Sequence, residues 1–137
     1  MDEGKPKLLL IEDLDNDYQK LRESFEDLAD IFWAKTGQEA LEMARKIKPE
    51  VIVSDVVLDQ HLDLQQEHID GTMVARQIRN GSDLPTTKIW IITSHYSDYS
   101  GFIDTLAERG VIEAGYEKTE EGYSALVDDV RGYLRSM

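Results

Sequence analysis

The chain has 137 residues, with 15 Lys and Arg against 28 Asp and Glu, a formal charge of −13 and no cysteine. That charge argues against nucleic acid or an anionic membrane surface as a partner, and the missing cysteine excludes disulfides, thiolate chemistry and cysteine-ligated zinc or iron–sulfur sites. No stretch approaches the roughly 18 consecutive apolar residues of a membrane span and no signal peptide is read at the start, so the expectation is one cytoplasmic domain with its own core.

Residues 1–6 read as a frayed polar leader. Leu8-Leu9-Leu10-Ile11 is a continuous apolar run that ends in Glu12-Asp13. Leu14-Asp15-Asn16-Asp17 supplies capping chemistry, and Tyr18, Leu21, Phe25 and Leu28 recur at spacings of three and four, the mark of an amphipathic helix. Ile31 to Ala34 reads as a short strand. Thr36-Gly37-Gln38-Glu39 has capping-box spacing, and Ala40, Leu41, Ala44 and Ile47 form the buried stripe of the helix that follows. Pro49 stops that helix. Val51-Ile52-Val53-Ser54-Asp55 then shows no polar alternation, which suits a strand buried on both faces, with one carboxylate at its end.

Asp59 to Asp70 is polar and irregular and holds His61 and His68, which read as solvated without cysteine partners. Gly71 to Arg79 looks helical, with Val74 and Ile78 inward. Asn80 to Pro85 is loop chemistry. Ile89-Trp90-Ile91-Ile92 is a third apolar run, closed by Thr93-Ser94. A helix around Phe102, Ile103, Leu106 and Ala107 ends at Gly110, a suitable C-cap. Val111 to Glu117 reads as a weaker strand leading to Lys118, and a last helix carries Leu126, Val127, Val130 and Leu134. Trp33, Trp90 and Phe25 read as core aromatics.

Strand and helix thus alternate five times, which implies a doubly wound α/β sandwich: a five-stranded parallel sheet flanked by helices, with right-handed crossovers. In such a sheet the strand ends gather on one edge, where ligands bind. Glu12-Asp13, Asp55, Thr93-Ser94 and Lys118 meet there. Carboxylates brought close repel one another, raise their pKa values or recruit a cation. A hard ion with oxygen ligands, Mg²⁺ above all, answers that need and pairs with phosphate oxygens. A lysine and a hydroxyl facing the same point can hold a phosphoryl group, and an aspartate so placed can accept it as an acyl phosphate.

In these residues the chain resembles the receiver domain of two-component response regulators, a flavodoxin-like fold, from Lys7 to about Leu134. The acid pair Glu12-Asp13, Asp55, Thr93 and Lys118 appear in the family's order, each at a predicted strand end. The resemblance implies that Asp55 is the phosphoacceptor. It implies that Asp13 and Asp55 ligate Mg²⁺ directly, with the Val57 carbonyl as a further ligand and Glu12 acting through water. Thr93 would hydrogen-bond the phosphoryl oxygen and shift inward, and Lys118 would pair with the phosphoryl group. His95, two residues past Thr93, would tune dephosphorylation together with Val57. Implied partners are a histidine kinase or phosphotransfer protein of a phosphorelay, a downstream protein effector, and a second copy in a phosphorylation-dependent homodimer. Such a domain catalyses its own aspartyl phosphorylation and dephosphorylation without being a conventional enzyme. With no basic, DNA-reading helix, it would act alone or as the receiver of a longer protein.

The chain departs from the family pattern in four ways. The acid pair is Glu-Asp where Asp-Asp is commoner. Asp55 and Gly71 are 16 positions apart, far beyond a common βα loop, and Leu58-Asp59 replaces the usual Met-Pro; this inserted loop, residues 59–70, would form a lid or a partner-specific surface. Thr119 stands where proline, with its cis peptide, normally follows the lysine. Gly115 occupies the place of the switch aromatic, with Tyr116 the nearest candidate. An alternative is therefore a pseudo-receiver, a phosphorylation-independent interaction module. A flavin or nucleotide binder on the same fold would need a phosphate loop where Glu12-Asp13-Leu14-Asp15 is acidic, and a phosphatase would need an Asp-x-Asp that Asp55-Val56-Val57 lacks.

Overall fold

A computed structural model describes residues 4–58, 69–81 and 84–137. The elements alternate as expected: β1 (Lys7–Ile11), α1 (Asp15–Phe25), β2 (Asp30–Ala34), α2 (Gly37–Ile47), β3 (Val51–Ser54), α3 (Gly71–Asn80), β4 (Lys88–Thr93), α4 (Tyr96–Glu108), β5 (Ala114–Glu117) and α5 (Glu120–Ser136). The strands form one sheet in the order β2-β1-β3-β4-β5, every pair parallel. The doubly wound sandwich read from the sequence is the observed fold.

The apolar strands are buried on both faces, which is why their sequences do not alternate. Leu9, Ile11, Ile52, Ile89 and Ile91 face α2, α3 and α4, meeting Leu41, Ala44, Val74, Ile78, Ile103 and Leu106. Leu8, Leu10, Val51, Val53, Trp90 and Ile92 face the other way, onto Tyr18, Leu21 and Phe25 of α1 and Leu126, Val130 and Leu134 of α5. Each fully buried Leu or Ile contributes about 1.5–3 kcal/mol, so these two layers hold the sheet edge in place.

Local chemistry explains several boundaries. Thr36 N-caps α2 by accepting from Glu39 N at 3.1 Å, and Glu39 Oε1 accepts in return from Lys35 N at 2.6 Å. The α2 end turns through Lys48 in the left-handed region, φ 53°, and α4 is followed by Gly110 at φ 75°. By contrast, α1 has no side-chain cap: Leu14 occupies that position, and the Asp15 and Asp17 carboxylates lie in the first turn. The capping expected of Leu14 to Asp17 is corrected accordingly. The last strand also starts later than expected, at Ala114, because Val111 N and Ile112 N both donate to Leu106 O in the turn after α4.

Within the segment expected to be an inserted loop, Ile69 is a core residue and Asp70 caps α3 by accepting from Met73 N at 2.9 Å. The rest of it, residues 59–68 with His61 and His68, lies outside the described residues, and so does the lid expected there. Gly71 has a steric reason to be glycine: a Cβ there would lie 1.9 Å from Asp55 O. Its N–H donates to Val56 O at 2.8 Å, so α3 starts directly against the backbone that carries Asp55. Among the described residues no helix is long and apolar enough to cross a membrane.

Candidate functional site

The site forms where β1, β3, β4 and β5 end. Backbone bonds continue the ladder just beyond the strands: Glu12 N donates to Ala34 O, Asp55 N to Ile11 O and Lys118 N to Thr93 O, each at 3.0 Å. These bonds bring residues far apart in sequence onto one edge. They also fix the backbone from which the Glu12, Asp55 and Lys118 side chains leave the sheet edge.

Glu12, Asp13 and Asp55 offer one carboxylate oxygen each, and these oxygens lie within 4.8 Å of one another. All three residues are buried, Glu12 completely. Burial, with the Asp55 charge adding to it and Lys118 opposing, pushes the Glu12 carboxyl up to about 8. Lys118 reaches the same place. Burial alone would lower its pKa, but the Asp55 and Glu12 charges outweigh that effect and hold it above the ordinary lysine value.

The Lys118 ammonium donates to Glu12 Oε2 at 2.7 Å, Asp17 Oδ2 at 2.7 Å and Asp55 Oδ2 at 2.8 Å. Asp55 Oδ1 accepts from Val56 N at 2.6 Å. Thr93 is fully buried at the end of β4, and its Oγ1 accepts from His95 N at 3.0 Å. That hydroxyl keeps its own proton to donate. His95 stands at the α4 N-cap without a side-chain capping bond, half exposed, with Nδ1 3.9 Å from Asp98 Oδ2. Val57 is half-buried beside the α2–α3 core.

The sheet edge thus brings together Glu12, Asp13, Asp55 and Lys118, with Thr93 bound to Lys118 through the backbone. Two residues went unread in the sequence. Asp17 looked like a cap but faces Lys118; its place in the first turn of α1, just after the acid pair, was the available signal. Trp33 looked like core, yet it is only half-buried. Its indole Nε1 donates to Glu12 O at 2.7 Å, its ring stacks on Tyr18 with centroids 3.7 Å apart, and Lys35 Nζ lies 4.5 Å from its centroid. Trp33 therefore braces the turn that carries the acid pair.

Thr119 also has a local explanation. Its Oγ1 accepts from Gly122 N at 3.0 Å and caps α5. No cis peptide bond occurs among the described residues. The β4–β5 register pairs Ile92 with Tyr116 and Thr93 with Glu117. Gly115 accordingly faces α4, while Tyr116 lies on the α5 side and donates its hydroxyl to Asp129. The aromatic that the sequence offered for a switch is on the opposite face of the sheet from Ile103 and α4.

No protein-family model matches the chain. The response regulator protein VraR of Staphylococcus saprophyticus is 31% identical over 64 residues, a stretch that is 47% of this chain and 26% of that protein. The crystal structure of a signal receiver domain from Vibrio parahaemolyticus superposes with a TM-score of 0.77 at 27% identity, covering 97% of this chain and 92% of that one. The receiver domain of a sensor histidine kinase from Pseudomonas aeruginosa, with a magnesium ion coordinated in its active-site cleft, superposes with a TM-score of 0.70 at 15% identity, covering 97% of each chain. The chain has the fold of signal receiver domains, and the resemblance read from its sequence holds across nearly its full length.

Proposed function

We propose that this chain, as a single cytoplasmic receiver domain, takes a phosphoryl group onto Asp55 and thereby switches its affinity for a protein partner. The observation that carries this reading is the convergence of three buried carboxylates and one buried lysine at the edge of a receiver-type sheet. Such a cluster is costly without a cation, since carboxylates out of water repel one another. Its donors are all hard oxygens, which suit Mg²⁺. Asp13, Asp55 and the Val57 carbonyl would hold the ion, with Glu12 alongside. Bound there, Mg²⁺ would neutralise the carboxylates and supply positive charge for phosphoryl oxygens.

The chain's own residues then divide the remaining work. A carboxylate oxygen of Asp55 forms a bond to phosphorus as the phosphorus–nitrogen bond of a phosphohistidine donor breaks, and its electron pair stays on the imidazole nitrogen. Lys118 donates to the arriving phosphoryl oxygens and offsets their charge. Thr93 donates its hydroxyl proton while it accepts from His95 N. In dephosphorylation, water attacks phosphorus as the bond to Asp55 breaks; the electron pair returns to the Asp55 carboxylate, and the phosphoryl group leaves as inorganic phosphate with the water's oxygen and protons. His95, at the α4 N-cap beside Thr93, and Val57 would set how easily that water enters.

The proposed donors are a histidine kinase or a phosphotransfer protein, and the proposed reader is a downstream protein effector or a second copy of the chain. Intact mass after incubation with Mg²⁺ and a small phosphodonor, beside Asp55→Ala, tests the reading. Gain of one phosphoryl group by the wild type alone is expected. No gain by a folded protein that also binds no Mg²⁺ would favour a phosphorylation-independent interaction module.

A further inference from the structure

Lys118 is held by more carboxylates than phosphoryl transfer to Asp55 requires. An ammonium has three donors, and here Glu12, Asp17 and Asp55 take one each. Asp17 differs from the other two. It comes from α1 rather than from a strand end, its side chain is 26% exposed against 0% for Glu12 and 5% for Asp55, and it lies outside the carboxylate triad that could hold a cation. The helix field does not account for its orientation either. Asp15 shares the favourable first turn of α1 and is exposed, whereas Asp17 is aimed at the lysine.

Each carboxylate feels the whole ammonium charge, but the ammonium has only three N–H bonds to direct. The one taken by Asp17 points toward α1 and cannot serve as a second bond to Asp55. We propose that Asp17 is a positioning residue, a counter-tether that pulls Lys118 toward α1 and leaves the Asp55 carboxylate more open to a divalent cation and to a phosphodonor. The inference rests on reading Asp55 as the acceptor. Within that reading, Asp17 sets how firmly the resting site is closed by its own lysine.

The test uses the full chain with Asp17→Asn, which keeps the size and an acceptor oxygen but removes the charge, and Asp17→Glu, which keeps the charge. The carboxyl carbon shift of Asp55, followed by NMR in metal-free protein, reports how much of the ammonium Asp55 holds. Calorimetric titration with Mg²⁺ alone reports the cost of displacing it. Asp17→Asn is expected to move the Asp55 resonance and to weaken Mg²⁺ binding by roughly fivefold, and Asp17→Glu to reverse both changes. An unmoved Asp55 resonance with Mg²⁺ affinity within about twofold of wild type would overturn the tether. Equal losses in both variants would overturn it as well, since they would mark a structural role. A wild type that binds no Mg²⁺ and gains no phosphoryl group would sink the receiver reading instead, while the metal-free Asp55 resonance would still decide the tether.

Discussion

Ile103 of α4 fills the space in which a side chain at Gly115 would begin: a Cβ at Gly115 would lie 2.4 Å from Ile103 Cγ2. The close approach lets α4 settle directly onto β5, and it occupies the place where the receiver pattern puts an aromatic ring. Gly115→Ala should therefore overpack this contact and cost about 1–3 kcal/mol. Chemical denaturation of Gly115→Ala with and without Ile103→Ala, which removes the clashing Cγ2, will measure it. In the Ile103→Ala background most of the Gly115→Ala cost is expected to vanish, and additive losses would mean that the two residues do not share the space.

Trp33 gives a second prediction. Trp33→Phe keeps an aromatic ring against Tyr18 but removes the donor that holds Glu12 O at 2.7 Å. The expected cost is about 1 kcal/mol, the usual size of a lost neutral hydrogen bond. Mg²⁺ affinity should fall with it, because the turn carrying the acid pair loses its brace. A variant as stable as wild type with unchanged Mg²⁺ binding would show that the indole N–H contributes nothing there.

Arg79 should be more sensitive to a conservative change than its place on α3 suggests. Its guanidinium donates to Leu84 O, Pro85 O, Thr87 O and Val111 O, tying α3 to the chain entering β4 and to the turn after α4. A lysine keeps the charge but cannot present donors in that fork. Arg79→Lys should lose about 2 kcal/mol by thermal or denaturant unfolding, because carbonyls in this half-buried region are left unpaired. A loss near zero would show that water replaces the guanidinium.

The Glu12 carboxyl predicts how stability depends on pH. Its ordinary value of 4.5 is raised to about 8 in the fold, first by burial and then by Asp55. Over that interval the folded state binds more protons than the unfolded state, so stability falls as pH rises from about 4.5 to about 8. In metal-free protein Glu12→Gln should flatten this slope, and Asp55→Asn should reduce it by removing the second cause. Mg²⁺ should also reduce it, because a cation favours the charged carboxyl. Denaturant midpoints across that range will decide the matter, and a wild-type midpoint that rises with pH in that range would contradict the assigned shift.

Much of this protein follows from its sequence. The unbroken apolar runs at Leu8 to Ile11, Val51 to Val53 and Ile89 to Ile92 dictate strands buried on both faces, and the stripes between them dictate the helices that cover those faces. Alternation then requires a parallel sheet, and a parallel sheet collects Glu12, Asp13, Asp55, Thr93 and Lys118 at one edge. Periodicity and topology are local or nearest-neighbour properties, so they can be read without coordinates.

What only the tertiary structure decided depends on distances between elements. Asp17 could be a cap or a partner of Lys118, and the choice rests on how α1 sits against the end of β5. Gly115 and Tyr116 could exchange roles with a one-residue slip, and the pairing of Thr93 with Glu117 settles which face each one takes. Trp33 could be core or brace until the Glu12 carbonyl is seen at its indole nitrogen. Hydrogen bonds act over about 3 Å, whereas sequence patterns locate an element only to within a residue or two of its ends. The pattern therefore determines the sheet edge, and packing determines which side chains meet there.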